Sequence, residues 1–446
     1  MSNILHRHCH KIPPRISGGE GVYLFDNTGK SYLDGCGGAA VSCLGHNHKT
    51  VTSAMKKQLE AIPYAHTGFF TSDVAEQLAE VLSLRAPDSL NHTYFVSGGS
   101  EAVESALKLA RQYFVETGQP SRNKVISRYQ SYHGNTLGAL AAGGNRWRRE
   151  PFSPLLVEHG FISPCYSYRN RKDGESEFEY GLRMAQELED KLLEMGPENV
   201  MAFIAEPVVG ATAGALTAER GYFYRIRQIC DRYGVLLILD EVMCGCGRTG
   251  TYFAFEQEAA VPDLVTMAKG LAAGYQPIGA VMVADHIYEA ISSGSGFFQH
   301  GHTFMAHPIA CAAALATLQV IDNDDLLSQV ARQGRKLFAE LSNRFADHLH
   351  VGDIRGRGLF LGIELVENRE TKAPFPSDFP LHNIVKKMAM DRGLMVYPMG
   401  GTIDGRQGHH ILLAPPFIIQ DDHIEELIDK LALTIDDATH QFDRSA

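Results

Sequence analysis

No apolar run in this chain approaches the ~20 residues needed to cross a bilayer, and the N-terminus shows no apolar signal core. A membrane partner is therefore not expected. There is also no long run of lysine or arginine, and the net charge is −11. That balance argues against nucleic acid or an anionic membrane as the main partner. Paired C-x-x-C motifs are missing. The eight cysteines are scattered at positions 9, 36, 43, 165, 230, 244, 246 and 311, and the closest pair, Cys244 and Cys246, is C-x-C. No structural metal is expected from them, and a reduced, cytoplasmic protein is the better reading. His6, His8 and His10 lie near Pro13 and Pro14 in what reads as a loose polar arm, able at most to bind a metal adventitiously. Internal repeats and low-complexity segments are absent. What remains is an ordinary globular composition, 44% hydrophobic and 21% charged over 446 residues, long enough for about two or three domains.

The most informative stretch is residues 235–270. Val235, Leu236, Leu237, Ile238 and Leu239 form an apolar run without alternation, as expected for a strand buried on both faces of a parallel sheet. Asp240 and Glu241 follow at its carboxyl end, where open α/β sheets place their ligands. A second short apolar stretch, residues 264–268, delivers Lys269 and then Gly270. An acid and an amine at the ends of two core strands suggest a prosthetic group held between them. Pyridoxal phosphate is the group whose chemistry needs this pair. A buried lysine can lose its proton and form a Schiff base with an aldehyde. A carboxylate beside the pyridine nitrogen keeps that nitrogen protonated, so the ring draws electrons. Taken singly, each residue reads more readily as an ordinary strand-end acid or a surface lysine.

The rest of the chain supplies context. Residues 18–35 read as a hairpin whose turn is Asp26-Asn27-Thr28-Gly29-Lys30. Gly35, Gly37 and Gly38 follow as a loop. Helices are expected over 49–61 and 73–84 from their apolar spacing. Tyr94, Phe95 and Val96 predict a short strand, Ser97-Gly98-Gly99-Ser100 a turn, and Glu101 onward a helix with Val103, Ala106, Leu107 and Ala110 as its apolar stripe. Glycines and a serine before a helix N-terminus suit a phosphate, because free N–H groups and the helix dipole favour an anion. This is not a P-loop, since no G-K-[ST] follows. Another strand from residue 124 ends near Tyr132-His133-Gly134, where an aromatic can stack on a planar ring. Residues 143–173 read as a long loop near the mouth of a pocket, shaped by Arg146, Trp147, Arg148 and Arg149. A helix is expected over 181–195. A strand over 200–205 ends at Glu206-Pro207, again an acid at a carboxyl end. A helix over 221–233, a glycine-rich loop over 245–250, a strand over 281–284 and a helix over 307–321 complete this part. The last part alternates a helix (324–346), a strand (359–365), a helix (380–392), strands near 394 and 411, and a helix from 421.

Read together, SGGSEAVESALKLAR, SYHG, AEPV, LILDEV, GRTG, MAKGL and GHTF closely resemble the class III, or ω-, aminotransferases, over about residues 18–416. The resemblance implies a fold-type I pyridoxal-phosphate-dependent transferase of the α/β class. Its large domain would carry a mostly parallel seven-stranded sheet, and a smaller α+β domain would be built from both chain ends. The corresponding segments are 1–60, 61–325 and 326–446. It also implies a homodimer, or a dimer of dimers, with shared active sites. By motif, Lys269 would hold the cofactor aldehyde and shuttle the proton, and Asp240 would pair with the pyridine nitrogen. Val242 and Tyr132 would flank the ring, with His133 beside Tyr132. Gly99 and Ser100 would hold the phosphate, completed by Thr303 from the neighbouring subunit. Glu206 would support Asp240 or Tyr132. Where ornithine-type members read E-P-x-Q-G-E, this chain has Ala211 in the last position, which resembles the subgroup coupling amines or ω-amino acids to pyruvate. That subgroup uses a mobile arginine before the A-P-P segment. Arg406 before Ala414-Pro415-Pro416 is the candidate, against a solvated loop arginine, while Arg357 reads as structural. Tyr64, Phe69, Phe70 and Trp147 are candidates to line the substrate pocket, with Gly37, Gly38, Ala39 and Ala40 leaving room. The expected activity is transfer of an amino group from an amine or ω-amino acid to an α-keto acid by a ping-pong cycle. The alternatives are a racemase or aminomutase on the same fold and, more remotely, a cofactor-binding regulatory module without turnover.

Overall fold

The computed structural model describes residues 2–443. Its centre is a seven-stranded sheet made of β1 (His92–Val96), β2 (Lys124–Arg128), β3 (Gly160–Ile162), β4 (Val200–Ala205), β5 (Leu236–Asp240), β6 (Leu264–Met267) and β7 (Gly279–Val283). The strands lie in the order β1-β7-β6-β5-β4-β2-β3. The pairs β5–β6, β5–β4, β2–β4 and β2–β3 are parallel. Only β7 runs against its neighbours, β6 and β1.

The unbroken apolar runs explain why these strands sit at the centre. Every residue of β4, β5 and β6 is buried. Successive side chains point to opposite faces, so each run feeds two cores. Ala202, Ile204, Leu236, Ile238 and Val281 pack on one side with Val103, Ala106, Leu107 and Ala110 of α1 (Gly99–Glu116). Phe203, Ala205, Leu237, Leu239 and Val265 face the larger core on the other side. Each fully buried Leu or Ile contributes about 1.5–3 kcal/mol.

Both ends of the chain meet outside this sheet. The N-terminal hairpin, Tyr23–Asp26 with Ser31–Asp34, is extended by Ile16–Glu20 and pairs in parallel with Leu394–Met395. A further four-stranded sheet joins Val351–Arg357, Phe360–Leu365, His409–Leu413 and Tyr397–Gly400. Among the described residues, no helix is long and apolar enough to cross a membrane, and no cluster of His, Cys, Asp or Glu has the makings of a metal site.

Three segments differ from the sequence reading. Residues 143–173 are not one long loop: they hold the short helices Arg146–Arg149 and Ser167–Asn170, the 3-10 turn Glu150–Leu155, and β3. Three residues are too few to show a period, yet pairing with Ile126–Arg128 makes β3 the sheet's edge. The Gly35–Gly38 loop folds into a kinked turn, Gly37–Ala40, with Gly38 at φ 69°. Val351–Arg357 carries Asp353, Arg355 and Arg357 and has no clean alternation, but the ladder to Phe360–Leu365 holds it as a strand.

Candidate active site

A cavity of about 130 Å³ opens at the carboxyl ends of the central strands, lined by Gly99, Ser100, Tyr132, His133, Gly134, Glu206, Asp240, Val242, Met243 and Lys269. Each arrives for a local reason. β5 ends at Asp240, β4 ends one residue before Glu206, and β6 ends two residues before Lys269. Parallel register sets Asp240 opposite Thr266, which brings the acid and the amine to one edge.

Asp240 is 3% exposed and held on both oxygens. Oδ2 lies 2.7 Å from His133 Nδ1. Oδ1 accepts the Val242 backbone N–H at 3.0 Å and the Thr266 hydroxyl at 3.1 Å. A buried carboxylate with three partners has a fixed orientation, and charge-assisted bonds of this kind are the stronger ones. Lys269 begins the 3-10 turn Lys269–Ala272 with φ 47°, a left-handed backbone that costs a non-glycine residue about 1–2 kcal/mol. Burial draws its amine below the ordinary lysine value, against the opposing pull of the Asp240 and Glu206 charges. The amine is thus partly prepared to act as a nucleophile.

Glu206 accepts the N–H groups of Tyr132 and Gly210, each at 3.0 Å. Of the two supports considered for it, the backbone of Tyr132 is the one it holds. Burial raises its carboxyl above the usual range. The Tyr132 ring lines the cavity on one side and Val242 on the other part of the wall. At the start of α1, Gly99 and Ser100 present the first turn of an 18-residue helix, whose leading N–H groups have no intrahelical acceptor. A Cβ at Gly99 would meet Val242 Cγ1 at 2.7 Å, and one at Gly134 would meet Ser100 Oγ at 2.7 Å. Gly99 therefore lets the helix start close on Val242, and Gly134 lets the Tyr132 loop close on the helix start. Ser100 Oγ accepts the Asn135 N–H at 3.0 Å and ties them together.

Tyr64, Phe69, Phe70, Trp147, Thr303 and Arg406, all picked out by sequence, do not line this cavity. Phe69 and Trp147 are exposed. The Thr303 carbonyl accepts the Tyr64 hydroxyl at 3.0 Å. Arg406 reaches Glu150 at 2.8 Å with both side chains largely in solvent, the arrangement of a solvated loop arginine. Arg357 pairs with the buried Glu258, a structural position as expected. The sequence reading missed Thr266, Met243 and Gly134. It also missed Arg128, buried at the end of β2, whose guanidinium donates to the Glu206 carbonyl. Thr266, in the stretch LVTMAKG, carried a signal: it is the one hydroxyl in an otherwise apolar buried strand. Arg128 carried none, because a buried arginine is legible only from its partners.

An amine drawn toward its neutral form, an oriented carboxylate, an aromatic wall and a helix N-terminus within one cavity suit pyridoxal phosphate: an aldehyde, a pyridine nitrogen, a flat ring and a phosphate. The comparisons agree. The model of the family "Aminotransferase class-III" matches residues 4–435. An uncharacterized aminotransferase of Schizosaccharomyces pombe is 45% identical over 424 residues, 95% of this chain and 92% of that protein. The putrescine–pyruvate aminotransferase of Pseudomonas aeruginosa is 34% identical over 93% of this chain and 88% of its own length. Among solved structures, a thermostable (S)-enantioselective omega-transaminase from Thermomicrobium roseum superposes with a TM-score of 0.90 at 37% identity, covering 96% of this chain and 94% of that one. An omega transaminase from Pseudomonas jessenii in complex with PMP matches with a TM-score of 0.90 at 32% identity, over 96% and 93% of the two chains. Sequence, fold and cavity lead to the same place: the chain belongs to the class III aminotransferases, enzymes that work with pyridoxal phosphate.

Proposed function

We propose that this enzyme moves an amino group from an amine or ω-amino acid to an α-keto acid, pyruvate in the first instance, by a ping-pong cycle. The observation that carries the reading is the meeting of Lys269 with the oriented Asp240 in one cavity beside the start of α1. When bound there, pyridoxal phosphate supplies an aldehyde for the amine and a ring that draws electrons from the substrate carbon. Lys269 would hold the cofactor and, once displaced by the incoming amine, carry the proton to and from the substrate carbon through Nζ. Asp240 would keep the pyridine nitrogen protonated, with His133 and Thr266 fixing its oxygens. Gly99 and Ser100 would hold the phosphate, and Tyr132 and Val242 would flank the ring. Pyruvate as acceptor is supported by Ala211, where an ornithine-type site carries glutamate, and by the likeness to a putrescine–pyruvate aminotransferase.

A second copy of the chain belongs to this reading. Phe69 is 81% exposed and Phe304 58% exposed, and Tyr64 packs edge-on to Phe304 at 5.9 Å. Beside them runs a groove of about 440 Å³ lined by Ile62, Ala65, Phe70 and Val74. Exposed rings around a groove mark an interaction surface, and a homodimer formed there would bring Thr303 of one copy toward the phosphate of the other. Seven buried, unpaired cysteines support residence in the reducing cytoplasm.

Lys269→Ala tests the assignment. Purified with cofactor and offered L-alanine or putrescine as donor with a keto-acid acceptor, the variant is expected to show no amino transfer, while the parent releases one carbonyl product per amine consumed. Substantial turnover by the variant would sink the role given to Lys269. D-alanine formed by the parent without release of pyruvate would point to racemisation.

A further inference from the structure

The substrate carboxylate needs a cation, and Arg406 is turned away into an exposed pair with Glu150. Three other arginines lie together on the short helix Arg146–Arg149. Arg149 is spent on structure: its Nη1 donates to the carbonyls of Leu140 at 3.2 Å, Ala141, and Gly143 at 2.7 Å. Arg146 lies over the Tyr129 ring at 5.4 Å on the outside. Arg148 is different. Its guanidinium sits 4.6 Å from the centre of the Tyr132 ring, the ring that lines the cavity. Its Nε is buried without an acceptor, and among the described residues no carboxylate pairs with it.

The acids around the cavity are committed elsewhere. Asp240 is held by His133, Val242 and Thr266. Glu206 is held by backbone N–H groups, and so is Glu241, through Ala254 and Phe255 at 2.8 and 2.7 Å. A half-buried cation with a sealed, unsatisfied N–H is costly unless an anion meets it. Its backbone is fixed. The Arg148 N–H donates to the Asn145 side chain at 3.3 Å, which caps the short helix. The Asn145 amide in turn donates to Gln130 at 3.3 Å.

We propose that Arg148, stacked on Tyr132, is the specificity-determining residue that binds the carboxylate of the keto-acid acceptor and of amino-acid donors. The guanidinium fork matches a carboxylate in two parallel hydrogen bonds, and the Tyr132 face below it keeps the cation in place. A substrate would then span from Lys269 at its nitrogen end to Arg148 at its carboxylate end. An amine without a carboxylate would use only the first contact. This inference rests on the proposed function, since it assigns the acceptor end of the same site.

The test compares holoenzyme variants Arg148→Leu, Arg148→Lys and Arg406→Leu on two donors of one carbon skeleton, β-alanine and n-propylamine, and on pyruvate as acceptor. Arg148→Leu is expected to raise KM for pyruvate and β-alanine at least tenfold while kcat/KM for n-propylamine stays within threefold. Arg148→Lys is expected to recover part of the loss. Equal losses on both donors, an unchanged KM for pyruvate, or a selective loss in Arg406→Leu instead would overturn the assignment. Trp147, the chain's single tryptophan, stands 5.9 Å from the Arg148 guanidinium and reports binding without turnover. Propionate should change its emission saturably in the parent and at least tenfold more weakly in Arg148→Leu; equal titrations would overturn the assignment. If the parent moves no amino group to any keto acid, the proposed function falls, and the propionate titration still decides the role of Arg148.

Discussion

At the scale of single residues, the site depends on how burial and fixed partners set the state of each group. Lys269 gains reactivity from the cavity floor, where desolvation disfavours its charged form. The sign follows directly. In cofactor-free protein the folded chain releases this proton at a lower pH than the unfolded chain does. The contribution of Lys269 to apoprotein stability is therefore full above the unfolded lysine value and is lost as pH falls through the depressed one. Labelling the apoprotein with an acylating reagent across pH 7–10, read by peptide mass mapping, should modify Lys269 at lower pH than an exposed model lysine. Labelling that follows the model lysine would show that Asp240 and Glu206 cancel the effect of burial. Asp240 and Lys269 were legible from the sequence because each follows an apolar run directly. The roles of Gly134 and Arg128 were not, because they consist of contacts with residues 34 and 78 positions away.

At the scale of elements, the strand His409–Leu413 carries two buried histidines that make it pH-sensitive. All five of its residues are buried, and it pairs on both sides, with Phe360–Leu365 and Tyr397–Gly400. Burial holds His409 down at about 4 and His410 down at about 3. Unfolded, both would take up protons near ~6.5. Their contribution to stability is present above that value and lost as pH falls toward the folded values. The loss for His409 is on the order of 3 kcal/mol over the whole window. Urea unfolding at pH 7.5, 6 and 5 should show a midpoint falling with pH, and His409→Leu should flatten the fall. A variant as acid-sensitive as the parent would place the effect elsewhere. The strand itself was anticipated near residue 411 from its apolar ILL. Val351–Arg357, at the edge of the same sheet, was not, since its charged residues hide a strand that the ladder to Phe360–Leu365 holds.

At the scale of the whole molecule, the question is what covers the aromatic surface around Phe69 and Phe304. The proposed second copy predicts that Phe69→Asp, or better Phe69→Asp with Phe304→Asp, shifts the sedimentation coefficient toward the monomer and lowers turnover in step. Native sedimentation and activity in the double variant would move the interface to another face. The sequence by itself determined the middle of the central sheet, β4, β5 and β6, because fully buried strands need uninterrupted apolar runs and two-sided burial leaves little freedom in their composition. It also determined the order in which Asp240 and Lys269 follow those runs. Only the tertiary structure decided what surrounds each arginine: Arg148 and Arg406 are equal as letters, and what separates them is a carboxylate within reach of Arg406 and a tyrosine ring beneath Arg148.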